Sequence, residues 1–316
     1  MLKLPDSWVW DFWLVDDGTD YHAFFLFASK ALHDPILRHN RAGIGHAISK
    51  DLVHWQRVDD ALVHSDAPAF DDTACWTGSV VKNPSGSWEM FYTGISERDG
   101  NLIQKIGRAS SKDLITWHKK GMVLEADRNW YEMADEGEWP DEHFRDPWVF
   151  KHTDGDWHML LTARQIAPHS HHAGVIGHAV STDLENWTLR EPLSNPDAGF
   201  GHLEVCNTFQ LGNEWFLIFN CLDTELDKGY RPDTKGGIWV AKAASPLGPF
   251  DLANARVLAD PRLYVGKIIT DRQTGQPMFM AFRNTDPDGT FHGYLIDPIL
   301  VSIQDGWPTL EAGAFD

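Results

Sequence analysis

Short apolar runs, rich in β-branched and aromatic residues, recur along the chain: Tyr21 to Phe27, Trp88 to Thr93, Trp157 to Thr162, Trp215 to Asn220 and Met278 to Phe282. Runs this short, bounded by polar clusters, read as buried strands rather than helices. Another strand precedes each one across a turn-forming segment: Asp16-Asp17-Gly18, Asn83-Pro84-Ser85-Gly86, Thr153-Asp154-Gly155-Asp156, Gly212-Asn213 and Asp271 to Gly275. A third strand follows and is self-similar from unit to unit. Gly45-His46-Ala47-Ile48-Ser49-Lys50-Asp51-Leu52-Val53-His54-Trp55 returns as Gly107-Arg108-Ala109-Ser110-Ser111-Lys112-Asp113-Leu114-Ile115-Thr116-Trp117, and again from Gly177 to Trp187. A weaker copy from Gly237 keeps the strand but ends in Ser245-Pro246-Leu247-Gly248.

The leading glycines at 45, 107, 177 and 237 are separated by 62, 70 and 60 residues. Each unit therefore reads strand, hairpin, strand, loop, strand, Asp-Leu turn, strand. Five such units predict an all-β chain: a five-bladed β-propeller with four-stranded blades around a central channel, forming a single domain over residues 1–316. A β-sandwich is the competing class, but it gives no reason for one string to return at nearly equal spacing. The Asp of that string is expected to cap a turn and the Trp to pack between blades. An acidic, Trp-bearing stretch from Asp127 to Glu142 lies outside the repeat and predicts a short helix or a loop over the cleft.

Charge and composition narrow the partners. With 27 basic against 46 acidic residues, net −19, the chain is a poor match for nucleic acid or an anionic membrane surface, and a small neutral carbohydrate fits better. Fifteen Trp serve either as core filler or as flat faces against sugars. Three cysteines, Cys75, Cys206 and Cys221, form neither a disulfide framework nor a CxxC motif, which points to a reducing compartment. The N-terminus has no signal-peptide pattern, and no run approaches 18 apolar residues, so a soluble cytoplasmic protein is expected.

Three carboxylates stand out. Asp11 in Trp8-Val9-Trp10-Asp11-Phe12-Trp13, Asp146 in Phe144-Arg145-Asp146-Pro147 and Glu204 in Leu203-Glu204-Val205-Cys206 each interrupt an apolar segment at the first strand of a unit. In a propeller, first strands line the channel, so like positions converge. Buried charge is costly without a partner or a function. Glycoside hydrolysis needs such a set, an acid for the leaving oxygen and a carboxylate to attack or to activate water.

At these residues the chain resembles the invertase and levansucrase superfamily, glycoside hydrolase families 32 and 68. The Gly45 to Trp55 string is similar to the invertase blade signature, Arg145-Asp146-Pro147 to the Arg-Asp-Pro motif, and Trp76-Thr77-Gly78-Ser79 to a Trp-Ser-Gly-Ser segment. The resemblance implies a five-bladed propeller acting on β-fructofuranosides with retention, Asp11 as nucleophile, Asp146 as transition-state stabiliser and Glu204 as acid/base. It further implies that Arg145 binds sugar hydroxyls and that Trp10 and Trp76 wall the pocket, without cofactor or metal. Trp10-Asp11-Phe12-Trp13 is closer to the levansucrase string than to the invertase Asn-Asp-Pro-Asn-Gly, and Glu204-Val205-Cys206-Asn207 replaces Glu-Cys-Pro-Asp. The C-terminal β-sandwich of family 32 is expected to be missing, with blade five using the chain to about residue 300. An inverting arabinofuranosidase or xylosidase propeller, a fructosyltransferase and a non-catalytic sugar-binding propeller are the alternatives.

Two further features are expected to be structural. Pro168-His169-Ser170-His171-His172 reads as a polar loop rather than a metal site. Cys206, two residues past Glu204, should share its strand face and serve as packing.

Overall fold

In a computed structural model of the chain, residues 1–167 and 169–311 are described; Pro168 of the histidine-bearing loop and the last five residues lie outside them. Five sheets follow one another in sequence. Blade one is β1 (Ser7–Asp16), β2 (Tyr21–Ser29), β3 (Gly43–Ser49) and β4 (Trp55–Arg57). Blade two is β5 (Ala74–Lys82), β6 (Trp88–Ile95), β7 (Lys105–Ser111) and β8 (His118–Leu124). Blade three is β9 (Phe144–Lys151), β10 (Trp157–Arg164), β11 (Gly174–Ser181) and β12 (Thr188–Arg190). Blade four is β13 (Glu204–Leu211), β14 (Glu214–Leu222), β15 (Gly236–Ala243) and β16 (Arg256–Ala259). Blade five is β17 (Leu263–Thr270), β18 (Pro277–Thr285), β19 (Phe291–Leu295), β20 (Ile299–Gln304) and β21 (Trp307–Leu310), with β19 and β20 sharing the edge of β18.

The five predicted apolar runs are the second strands β2, β6, β10, β14 and β18, each extended by two to four residues. The first strands contact one another in a closed ring, β1 to β5 to β9 to β13 to β17 and back to β1. This is the five-bladed propeller the repeat predicts. Leu2 pairs with Leu295 through two backbone hydrogen bonds of 3.1 and 2.9 Å, tying the N-terminal segment to blade five. Blade five itself reaches Leu310, beyond the expected residue 300.

The repeated string works as its residue types require. Asp51 Oδ1 accepts the N–H groups of Val53 (3.0 Å) and His54 (2.8 Å), and Asp113 and Asp183 do the same in blades two and three. These caps hold Leu52, Leu114 and Leu184 at φ of 64, 62 and 66°, a conformation unfavourable for a branched residue. Burial of the same leucines offsets the strain. Trp117 meets Phe24 of blade one edge-on at 5.6 Å, and Trp187 meets Phe91 of blade two at 5.2 Å, so both tryptophans pack between blades.

One position varies informatively. At a diagonal site between second and third strands, blade one places His22 against His46 (2.9 Å), blade two a Glu89–Arg108 ion pair (2.9 Å) and blade three His158 against His178 (2.9 Å). Blade four fills the same place with Phe216 and Val240. Burial, with the neighbouring His22, pushes His46 down to about 3, and burial with His158 pushes His178 down to about 4, so both imidazoles are neutral. Among the described residues, no helix is long and apolar enough to cross a membrane, and the three cysteines are buried free thiols.

Candidate active site

Every first strand carries one extra residue against its partner, at the same level of the channel: beside Trp10/Phe12, Trp76/Gly78, Arg145/Trp148, Glu204/Asn207 and Tyr264/Lys267. A bulge re-aims side chains that strict alternation would send to opposite faces. The residue before the bulge forms one ring, Trp10, Trp76, Arg145, Glu204 and Tyr264, and all five line a single large cavity. The following residue forms a second ring, Asp11, Thr77, Asp146, Val205 and Val265, of which the first three line it too. The cavity measures about 1320 Å³, above the roughly 300–1,000 Å³ of ordinary small-molecule sites.

The structure thus brings together all six residues singled out in the sequence: Asp11, Asp146, Glu204, Arg145, Trp10 and Trp76. It corrects their register. Asp11 and Asp146 are equivalent, but Glu204 sits one residue earlier, level with Arg145. The same bulge defeats the two-residue count from Glu204 to Cys206. Val205 between them has φ of 50°, and Cys206 packs among Leu203, Leu217 and Phe219 instead of sharing the cavity face. Burial pushes its thiol up to about 12.

The bulges are pinned from the preceding blade. Asp146, Val205 and Val265 all have positive φ (59, 50 and 52°), and their N–H groups donate to Thr93 Oγ1 (3.0 Å), Thr162 Oγ1 (2.9 Å) and Asn220 Oδ1 (3.0 Å). These three acceptors hold equivalent positions on β6, β10 and β14. Strained backbone persists where such contacts over-determine it. In β5 the bulge is closed by Gly78, where a Cβ would lie 2.0 Å from the Phe91 carbonyl oxygen, so no larger residue fits.

Each carboxylate has its own partners. Asp11 Oδ2 accepts from Thr77 Oγ1 at 2.5 Å. Asp146 Oδ2 accepts from Thr162 Oγ1 at 2.7 Å and lies 3.3 Å from Arg145 Nε. Glu204 accepts from Arg145 Nη2 at 2.8 Å and from the Tyr264 hydroxyl at 2.5 Å. Burial, reinforced by the charges of Glu204 and Asp146, raises Asp11 to about 7. Burial also raises Asp146, against the pull of Arg145. Glu204 goes the other way, to about 2, because His202, Arg145 and Tyr264 together outweigh its burial. A proton on this set is therefore favoured on Asp11 and Asp146 over Glu204.

Sequence reasoning missed several contributors. Arg38 and His39 come from a 3₁₀ segment, Pro35–Arg41, in the β2–β3 loop, and Trp76 Nε1 donates to the His39 carbonyl at 2.7 Å. Gln104 Oε1 accepts from Arg145 Nη1 at 3.2 Å. Trp139 and Asp141, from the acidic stretch, line the cavity; that stretch is a chain of turns over the cleft, without a helix. Lys267, two residues past the β17 bulge, is buried with its ammonium 5.2 Å from the Trp148 ring centre, and burial brings it down to about 8 despite nearby Cys206, Asp146 and Asp11. Loop residues carry no periodic signal, and Lys267 becomes recognisable only once β17 is known to be an inner strand. The histidine loop is outside the cavity lining: His172 is buried and pairs with Asp227 and, at 2.8 Å, with Asp197.

The sequence profile of the glycosyl hydrolases family 32 N-terminal domain matches residues 13–251. The chain belongs to glycosyl hydrolase family 32. Over 230 residues, this family 32 chain is 30% identical to a sucrose-6-phosphate hydrolase of Escherichia coli, a match covering 69% of the chain and 42% of that protein. Over 206 residues it is 32% identical to the raffinose invertase of E. coli, covering 63% of the chain and 38% of that protein. It thus spans about two fifths of the length of these relatives. An inulosucrase from Halalkalicoccus jeotgali, solved with kestose, superposes with a TM-score of 0.79 at 19% identity, covering 98% of this chain and 90% of that one, which shows the shared fold.

Proposed function

We propose that the chain is a retaining β-fructofuranosidase that hydrolyses sucrose or a small fructo-oligosaccharide. The observation carrying this reading is the convergence of Asp11, Asp146 and Glu204, with Arg145, at one end of the channel in a family 32 propeller. Asp11 attacks the anomeric carbon while Glu204 protonates the departing glycosidic oxygen, leaving an ester between Asp11 and the fructosyl group. Glu204 then takes a proton from water, whose oxygen attacks the same carbon and returns Asp11 as carboxylate. Asp146 and Arg145 hold sugar hydroxyls as positive charge develops on the ring, and Trp10 and Trp76 wall it in.

Attack requires charge on Asp11 and the proton on Glu204, the reverse of the preference that burial and the neighbouring charges set. The coupled carboxylates titrate as a unit, so the proton need only change sites. A sugar hydroxyl that draws Arg145 away from Glu204 removes one of the donors holding Glu204 ionised, and the proton shifts toward it. A neutral sugar suits the lining better than a phosphorylated one: Asp141, Asp223, Glu225 and Asp286 join the three floor carboxylates, seven in all, against Arg38, Arg145, Lys235 and Arg262. Three buried free thiols accord with a reducing, cytoplasmic setting.

The test is incubation with sucrose, 6-phosphosucrose, inulin-type and levan-type oligosaccharides, with NMR of the first-formed product. Release of β-fructofuranose, faster from sucrose than from its phosphate, is expected. First-formed α anomer would replace the covalent mechanism by inversion, and absence of turnover on every fructoside would refute the reading.

A further inference from the structure

The wall beside Glu204 holds a second cluster. His202 Nε2, Cys221 Sγ and a Glu225 carboxylate oxygen lie within 4.8 Å of one another. They come from separate pieces of chain: His202 precedes β13, Cys221 is on β14, and Glu225 ends the 3₁₀ turn Asp223–Glu225 that follows β14. All three are anchored. The backbone N–H of Leu222 donates to Glu225 Oε2 at 2.8 Å, Cys221 is fully buried, and His202 is 2% exposed. His202 Nε2 is 2.8 Å from Glu225 Oε2 but has no hydrogen-bond partner, since the oxygen lies off the axis a ring N–H requires. A nitrogen and an oxygen side by side, not pointing at one another, are placed as two ligands of one cation are placed.

The geometry points to a binding site for a borderline-soft divalent cation, zinc above all, at His202, Cys221 and Glu225, and we infer that its occupancy inhibits the enzyme. The inhibitory part rests on the fructosidase reading above; the binding part does not. One nitrogen, one sulfur and one carboxylate oxygen form a donor set characteristic of Zn²⁺. Bonds of about 2.0 Å to nitrogen and oxygen and about 2.3 Å to sulfur place tetrahedral neighbours roughly 3.3–3.7 Å apart, so the sulfur need close by at most about 1 Å while the His202–Glu225 pair opens by about 0.5 Å. The thiol gives its proton to solvent as sulfur binds, and the fourth position stays open for water. His202 and Glu225 line the cavity, which supplies the way in. His202 Nδ1 is 3.3 Å from Arg145 Nη2, and its Nε2 is 3.7 Å from Glu204 Oε2. A dication bound at Nε2 lies beside Glu204 and competes for its carboxylate as a ligand, drawing it away from the glycosidic oxygen.

The experiment titrates Zn²⁺ into the intact chain by calorimetry, records the X-ray absorption of the zinc-loaded protein, and repeats both with Cys221→Ala. One bound ion with sulfur in its coordination shell is expected, with affinity falling at least about 100-fold in Cys221→Ala, since even outer-shell partners are worth 10–100-fold. Zinc should inhibit sucrose hydrolysis reversibly by chelator in the parent, while Cys221→Ala, which touches no substrate group, turns over normally and resists zinc. His152, Asp154 and His158 form a second possible cluster on the β9–β10 hairpin and supply the control. Zinc without sulfur in its shell, retained in Cys221→Ala or lost in His152→Ala, overturns the site. Sulfur-ligated zinc with undiminished hydrolysis overturns the inhibition. Sulfur-ligated zinc in a chain inert toward all fructosides leaves the site standing and refutes the proposed function instead.

Discussion

Replacing Asp11 by Asn should remove activity and, above neutral pH, make the protein more stable. The carboxyl is raised from its usual 3.8 to about 7 by burial and by two neighbouring carboxylates. A carboxyl whose folded value lies above its unfolded one contributes no penalty below about pH 4, an increasing penalty as pH rises, and the full penalty above 7. About three pK units correspond to at most about 4 kcal/mol. Asp11 lines the cavity and is only partly buried, which reduces this, so a gain of about 1–3 kcal/mol is expected for Asp11→Asn at pH 8, with near equality at pH 4. The amide oxygen can still accept from Thr77, so the substitution leaves no hydroxyl orphaned. Urea unfolding of both proteins at pH 4, 6 and 8, beside rates on sucrose, measures the effect. Equal stability at pH 8, or a gain as large at pH 4, would show that Asp11 is not held as a strained charge. Near-normal turnover would remove it from the nucleophile's role.

The Thr162 hydroxyl both donates to Asp146 and accepts from the Val205 N–H; Thr162→Val leaves that buried N–H only its longer 3.4 Å contact to Asp146 Oδ2 and should cost about 1–2 kcal/mol of stability, together with a fall in kcat, by denaturant unfolding and initial rates. Lys267→Met removes a buried cation that faces Asp11 and Asp146; the acidic limb of kcat/KM against pH should move upward, and Lys267→Arg should restore much of it. His46 and His178 are held neutral below the usual 6.5, so the unfolded chain takes up protons first as pH falls; stability should drop below pH 6.5 by up to about 1.4 kcal/mol per pH unit for each, levelling near 4 for His178 and near 3 for His46. The Asp11→Asn background removes the opposing contribution of Asp11, and His46→Val with His178→Val, after the Val240 of blade four, should lessen the fall of the unfolding midpoint between pH 6.5 and 5, leaving the part due to His39 and His143, which burial holds down to about 4 and about 3.

The repeat was legible because blades are built from local signals: short apolar runs, turn residues at fixed offsets, and a recurring Asp-Leu turn. Those signals lie within about ten residues of one another, so the five-bladed propeller, the turn-capping Asp and the inter-blade Trp could be read before any fold was known. Asp11, Asp146 and Glu204 were legible for a related reason, since carboxylates stand where inner strands are expected, whereas Arg145, Trp10 and Trp76 came from the resemblance to the invertase and levansucrase motifs. Tertiary structure decided what depends on register and on distance. Bulges leave no mark on alternation, so only the paired strands show Glu204 one step from the position of Asp11 and Asp146, and Cys206 turned into the core. Proton preference is likewise non-local. Asp11 is raised by burial beside Glu204 and Asp146, and Glu204 is lowered by His202, Arg145 and Tyr264, groups brought together from separate blades by the closure of the ring.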